Sequence, residues 1–364
     1  MIKKSIPIAL IIVFAFCHRT YGQQDVNHLL LKNYRPKSIY HIPVTIPEHA
    51  KYPVIDMHSH PYAANAKEID AWVKTMDEMN IRKTIILTYA IGNQFDSILA
   101  AYSNHKDRFE FWCGFDYAGY DKPGFGPAAV KELERCYKMG AKGVGELGDK
   151  GDGELYSGPV KGYGLHMDDP RMKILLQKCA ELHMPVNVHF AEDFWMYEPV
   201  DSTNDGLMNS SEWHVEVKDG KLNHAQLMQS LENVVRDNPK TLFIACHFAN
   251  LCYNLDEAGR LLDKYPNLYM DIAARYAETA TIPRFMAGFY AKYQDRLLYG
   301  TDMGMDKNMY QVTFRILESR DEHFYETDMF NYHWPLYAFG LNDTILKKLY
   351  SENAIKIQKY EDSK

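Results

Sequence analysis

Eight short apolar runs, separated by stretches of helical period, constrain the fold of this 364-residue chain more than any other feature. They are Val54–His58, Thr84–Thr88, Phe109–Phe115, Gly143–Leu147, Pro185–His189, Leu242–His247, Leu268–Ile272 and Leu297–Gly300. Runs this short read as β-strands. Between the first two, Ile69, Trp72, Val73 and Met76 repeat at the spacing of a helix that buries one face. The stripe recurs at Phe95, Ile98, Leu99 and Tyr102 and at Met172, Leu175, Leu176 and Cys179. It returns at Leu227, Leu231, Val234 and Val235, then at Leu255, Ala258, Leu261 and Leu262. A last helix is expected from about Asp343 to Ile357. Strands alternating with helices predict parallel βαβ units, and eight such units fit a (β/α)8 TIM barrel of the α/β class. A doubly wound open sheet is the competing arrangement.

Two connections are longer than a barrel requires, Gly148–Asp168 after the fourth strand and Asp193–Leu222 after the fifth. Loops that follow strand C-termini lie on the catalytic face of a barrel. The second carries Trp195, Tyr197 and Trp213, and aromatic loops at that face are expected to form lids or substrate walls.

Composition narrows the function. With 46% hydrophobic and 24% charged residues, the chain has the make-up of a globular protein with a sizeable core. A net charge of −7 and the lack of basic clusters argue against a nucleic-acid partner. Lys3 and Lys4 precede the apolar stretch Ile6–Cys17, and Thr20 and Gly22 place small residues at the −3 and −1 positions of a cleavage site. The expectation is a signal peptide over 1–22, with export to the periplasm or medium. That stretch is too short for the roughly 20 residues of a membrane span. Residues 23–51 read as a proline-containing lead-in packed on the barrel, and 52–360 as the barrel itself. Cys113, Cys136, Cys179, Cys246 and Cys252 remain after cleavage. An odd number without a CxxC pair suits buried apolar residues, so any metal must be held by nitrogen and oxygen.

The first run ends in Asp56-Met57-His58-Ser59-His60. Side chains two apart on a strand share a face, so His58 and His60 converge as half of a divalent-metal site. Glu146 ends the fourth run, His189 the fifth and His247 the sixth, and Asp302 follows the eighth. In a barrel these ends meet at one pocket. Imidazoles bind borderline cations there, and a carboxylate lowers the site's charge and takes a proton from bound water.

This pattern resembles the amidohydrolase superfamily, in particular its amidohydrolase-related group of TIM-barrel metal-dependent hydrolases. Asp56-Met57-His58-Ser59-His60, Val188-His189, Cys246-His247 and Tyr299-Gly300-Thr301-Asp302 carry the resemblance. It implies a divalent ion, zinc being expected, held by His58, His60, His189 and Asp302, with His247 orienting water or substrate. Glu146 is similar to the residue that bridges two metals in TatD-type nucleases. If it bridges, His189 and His247 hold a second ion; otherwise it hydrogen-bonds the strand-five histidine.

Arg275 is a candidate clamp for a substrate carboxylate, or pairs with Asp271 or another acid. Trp195 and Tyr197 are candidate substrate walls, and Lys161, His166, His333, Trp334 and Tyr337 are weaker pocket candidates. The expected activity is hydrolysis of a small ester, lactone or amide by metal-activated water, with Asp302 and His247 as catalytic groups. The first alternative is a metal-dependent decarboxylase of a small unsaturated or aromatic acid. The second is a non-catalytic exported metal-binding protein. The substrate in either enzyme reading is a small molecule, and oligomeric state is not legible.

Overall fold

The strands are β1 Val54–Ser59, β2 Ile81–Leu87, β3 Phe109–Cys113, β4 Gly143–Asp149, β5 Val186–Phe190, β6 Phe243–Ala245, β7 Leu268–Asp271 and β8 Leu297–Leu298. They pair in chain order and run parallel. The sheet closes on itself where Met57 N donates to Tyr299 O at 2.9 Å and Asp302 N to His58 O at 3.0 Å. This computed structural model describes residues 26–362, except 209, 210, 219 and 331. The expected signal peptide lies outside the described residues. Residues 26–35 belong to an N-terminal unit, Met1–Arg35, and contain two 3-10 turns, Val26–His28 and Leu31–Asn33. The second unit, Pro36–Lys364, contains the barrel.

Helices α1 Ala66–Met79, α2 Gly92–Ala101, α3 Phe125–Met139, α4 Lys173–Glu181, α5 His224–Asp237, α6 Leu255–Lys264, α7 Pro283–Tyr293 and α8 Lys307–Glu318 connect and follow the strands. Local chemistry starts several of them. Asn65 accepts from Glu68 N at 3.1 Å, Asn223 forms a capping box with Gln226, and Asn254 accepts from Glu257 N at 3.2 Å. The expected stripes are buried: Ile69, Trp72 and Met76 in α1, and Leu255, Ala258, Leu261 and Leu262 in α6. Helices α3, α7 and α8 have no counterpart in the sequence reading. The closing segment is Asp343–Lys347, a π-helical turn Lys348–Glu352 and the helix Asn353–Asp362. No helix of the described residues is long and apolar enough to cross a membrane.

Two cores result. Outward side chains of the strands pack under the helices, whereas Ile55, Met57, Ile85, Leu87, Trp112, Ile244, Tyr269 and Leu298 fill the interior together with Ala354 and Ile357. The lead-in is tied down at several points: Ser38 Oγ lies 3.2 Å from His323 Nδ1, Thr45 N donates to Asp321 at 2.7 Å and Lys51 N to Glu318 at 3.0 Å.

Several strand ends differ from expectation. β6 stops at Ala245 because His247, Phe248, Ala249 and Asn250 adopt left-handed φ values of 58°, 53°, 56° and 54°. Asn250 holds that turn by donating to the carbonyls of Phe190 and Ala191. β8 stops at Leu298, as the following backbone bends to meet β1. The loop Gly148–Asp168 contains an antiparallel hairpin, Glu154–Leu155 with Gly162–Tyr163, which extends β4 through Asp149 and Leu155.

Candidate metal centre

Three imidazoles turn the same nitrogen inward. His60 Nε2 lies 3.1 Å from Asp302 Oδ1 and 3.4 Å from Glu146 Oε2. His58 Nε2 lies 3.7 Å from Asp302 Oδ1, and His247 Nε2 is 3.7 Å from its Oδ2. The outer nitrogens are all engaged: His58 Nδ1 with Asp271 Oδ2 at 2.9 Å, His60 Nδ1 with Leu87 O at 2.8 Å, and His247 Nδ1 with Ala273 O at 2.9 Å. A carbonyl only accepts, so Nδ1 of His60 and His247 carries a hydrogen, and Nε2 is the nitrogen left to take a cation or a second proton at the centre. His58 Nε2 is buried and finds no hydrogen-bond partner among the described residues. A buried nitrogen left over beside two carboxylates fits a divalent cation.

Ligand atoms of His58, His60 and Asp302 lie within 4.8 Å of one another, as do those of His58, Glu146, Cys246 and His247. Cys246 is the weakest donor of these. Its thiol donates to Asn187 Oδ1 at 2.8 Å, and burial pushes its pKa well up, so it stays protonated. His189 stands apart from both sets. Its Nδ1 meets Glu146 Oε1 at 2.5 Å, and its Nε2 lies 3.4 Å from Glu192 Oε2.

The acids control charge here. Burial disfavours the imidazolium of His58, but Asp271 and Asp302 outweigh it and raise its pKa to about 9. Hydrogen bonds to Asp302 and Glu146 likewise overcome burial at His60 and carry it to about 11. Burial opposes charge on Asp302 too, yet His58 and His60 hold its carboxyl well below the usual range. The cluster therefore demands positive charge, which protons or a divalent cation can supply.

The barrel seam supports this arrangement. Asp56 accepts from His58 N at 3.2 Å, Thr301 N at 3.1 Å and Thr301 Oγ1 at 2.7 Å, locking β1 to the turn that carries Asp302. Gly300 lies there because a Cβ would meet His58 Cβ at 2.7 Å.

A family model described as Amidohydrolase matches residues 55–357. The chain belongs to the amidohydrolase family. An uncharacterised TIM-barrel protein from Bordetella bronchiseptica has a similar structure, at 13% identity and TM-score 0.56, covering 85% of this chain and 99% of that one. So does 2,6-dihydroxybenzoate decarboxylase from Rhizobium, at 16% identity, TM-score 0.54 and coverage of 85% and 99%. A third is 5-carboxyvanillate decarboxylase from Novosphingobium aromaticivorans, solved with manganese and 4-hydroxy-3-methoxy-5-nitrobenzoic acid. It shares 12% identity at TM-score 0.51, over 87% of this chain and all of that one. A search of curated proteins returned no match.

In this amidohydrolase a cavity of about 370 Å³ opens beside His189, His247 and Asp302. Trp195 and Arg275 line it, as the sequence suggests. Tyr197 does not. Its hydroxyl accepts from Glu192 N at 3.1 Å and its ring packs edge-on against His224, so it braces the loop. Arg275 pairs not with Asp271 but with Asp193, at 3.2 Å, and donates to Asn250 at 2.6 Å and to Ala274 O at 2.9 Å. Lys161 binds Glu154 and His166 binds Asp149, both within the hairpin loop. His333 contacts Met208 O, Tyr337 N donates to Ala280 O, and Trp334 lines an adjoining outer cavity.

Sequence reasoning missed four groups. Asp271 orients His58. Tyr62 donates to Asp302 Oδ1 at 3.2 Å, and its position two residues after His60 was the available signal. Lys150 and Glu192 form an ion pair at the cavity wall, just beyond the ends of β4 and β5.

Proposed function

We propose that this amidohydrolase is a divalent-metal decarboxylase of a small aromatic or unsaturated carboxylic acid. One observation carries the reading: the imidazole and carboxylate cluster opens into a cavity walled by Trp195, Trp213 and Met303 together with the cations Lys150 and Arg275. Aromatic and thioether surfaces suit a flat ring, and a guanidinium suits its carboxylate. After its bonds to Asn250, Ala274 and Asp193, Arg275 keeps one N–H on each terminal nitrogen without an acceptor among the described residues. The two similar decarboxylases, whose names specify aromatic carboxylates, support the same reading.

His58, His60 and Asp302 would hold one ion, with His247 completing the set. His189 spends Nδ1 on Glu146, so we assign it and Glu146 to the surroundings of a single ion rather than to a second one. When bound, the ion supplies Lewis-acidic charge against the substrate's oxygens. Zinc suits the imidazoles and manganese suits the carboxylate. Arg275 and Lys150 orient the carboxylate, and Trp195 keeps water from the ring face. Asp302, ionised at rest, takes a proton from solvent or an acidic hydroxyl and delivers it to the ring carbon as the bond to carbon dioxide breaks. Export through a cleaved leader remains part of the proposal and rests on residues 1–22 alone.

Hydrolysis is the second reading, and the ionised Asp302 among three Nε2 atoms favours it, since that carboxylate is placed to take a proton from water. A panel of hydroxybenzoates, esters, lactones and amides separates the two. Carbon dioxide release without acid release from the esters and lactones is the expected result, and the converse would replace decarboxylation by hydrolysis.

A further inference from the structure

Beyond the reacting cavity lies a second one of about 660 Å³, and Trp195 and Glu278 belong to the walls of both. The charges on its walls differ from those of the first. The inner cavity sets Lys150 and Arg275 beside Glu192, Glu278 and Asp302, whereas the outer one is bordered by Asp193, Glu198, Asp205 and Glu278 with no lysine or arginine among its described walls. Aromatic surface surrounds these acceptors. Phe194 and Tyr253 stack at 4.1 Å, and Trp195 and Trp334 supply two indoles. Gly206 lets Trp195 sit so closely that a Cβ there would lie 2.1 Å from the indole.

Hydrogen-bonding capacity on these walls is unspent in both directions. The indole N–H groups of Trp195 and Trp334 find no acceptor among the described residues, and Glu198 and Asp205 set carboxylate oxygens on the same walls. Glu278, held as a neutral acid, hydrogen-bonds Asp193, which is only 3% exposed and has Nε of Arg275 at 3.2 Å. Buried groups of this kind ask for a polar partner. The partner must both donate and accept, must carry faces that stack on aromatic rings, and must not be anionic. An ammonium only donates and a second carboxylate only accepts. Ring hydroxyls do both.

We propose that the outer cavity is a subsite for a polyhydroxylated, sugar-like ring carried on the same molecule as the carboxylate that reacts in the inner cavity. The substrate is then a conjugate, with an acid-bearing ring inside Trp195 and a glycosyl-type ring outside it. This rests on the decarboxylase reading for the inner end only.

The test is equilibrium binding to the full chain, followed by tryptophan fluorescence and calorimetry. The probes are 4-hydroxybenzoate, its 4-O-β-glucoside, its 4-O-aminoethyl and 4-O-cyclohexyl ethers, and methyl β-glucoside. The glucoside is expected to bind at least tenfold tighter than 4-hydroxybenzoate, with neither ether matching it. Thr281→Trp, which fills the mouth, and Asp205→Ala, at an exposed wall position, should each erase that gain while leaving 4-hydroxybenzoate binding unchanged. Equal binding of glucoside and parent, or an equal gain from the aminoethyl or cyclohexyl ether, would overturn the subsite. Binding of methyl β-glucoside without 4-hydroxybenzoate would keep the subsite and sink the inner-cavity reading.

Discussion

Asp271 and His58 form the pivot of the centre: Oδ2 of the buried carboxylate meets Nδ1 of the imidazole at 2.9 Å. The other oxygen, Oδ1, accepts from His247 N at 3.0 Å and from Ala273 N at 3.1 Å. One acid on β7 thus aims an imidazole on β1 and anchors the left-handed turn that carries another. Burial opposes its charge, but His58 and His247 hold its pKa below the ordinary value.

Asp271→Asn should keep the barrel, since asparagine retains an oxygen for the two backbone donors, while weakening the hold on His58. Metal affinity is expected to fall by about 10–100-fold. Chelator competition followed by elemental analysis measures it, with circular dichroism as the folding control. Unchanged affinity would show that His58 orientation is set elsewhere.

A single bound ion is expected per chain. Elemental analysis after metal loading should give a ratio near one, and chelation should lower both turnover and melting temperature. At a free metal concentration about 1,000 times Kd, the bound ion adds about 4 kcal/mol to stability. A ratio near two would return Glu146 and His189 to the role of bridging and binding a second ion.

Asp302→Asn removes the group that moves the proton. Turnover should drop at least about 10²-fold, read as kcat for carbon dioxide release with metal content measured in parallel. Loss of activity with full metal content isolates proton transfer from metal binding.

Arg275→Lys keeps a positive charge beside Asp193 but loses the forked donors. KM for the carboxylate should rise by about tenfold, as a charge-assisted hydrogen bond contributes about 1.5–3 kcal/mol. Arg275→Ala, by contrast, leaves Asp193 buried without its cation and should destabilise the fold by about 3–5 kcal/mol. A denaturation curve distinguishes the two substitutions.

Glu278 links pH to stability. Burial and the neighbouring Asp193 raise its carboxyl from 4.5 to about 8, against the opposing charge of Arg275, and Tyr332 donates to its other oxygen. Between those values the folded chain holds a proton that the unfolded chain releases, so this group costs stability as pH rises from 4.5 toward 8. Glu278→Gln keeps the acceptor for Tyr332 and removes the titration. Its melting temperature relative to wild type should become steadily more favourable from pH 5 to pH 8. A constant difference across that range would count against the buried neutral acid.

Much of this fold is legible from local chemistry. The stripes of α1, α5 and α6 are buried as their period predicts, and Asn65, Asn223 and Asn254 cap them from within the same stretch of chain. Helices α3, α7 and α8 escaped notice although they bury Leu133, Tyr290 and Phe314. Strand ends were less legible than strands, because β6 and β8 stop where partners distant in sequence capture the backbone.

The sequence by itself determined that imidazoles and carboxylates stand at the ends of successive strands, because strand period and chain order depend only on near neighbours. Which nitrogen of each imidazole faces the centre was decided by the closed barrel. Leu87 O, Ala273 O and Asp271 come from other strands or the turns that follow them, the last 213 residues from His58. The same holds for Arg275, whose acid proved to be Asp193, and for Tyr197, which turned away from the cavity. Buried polar groups must find partners across space, and only closure brings those partners within reach.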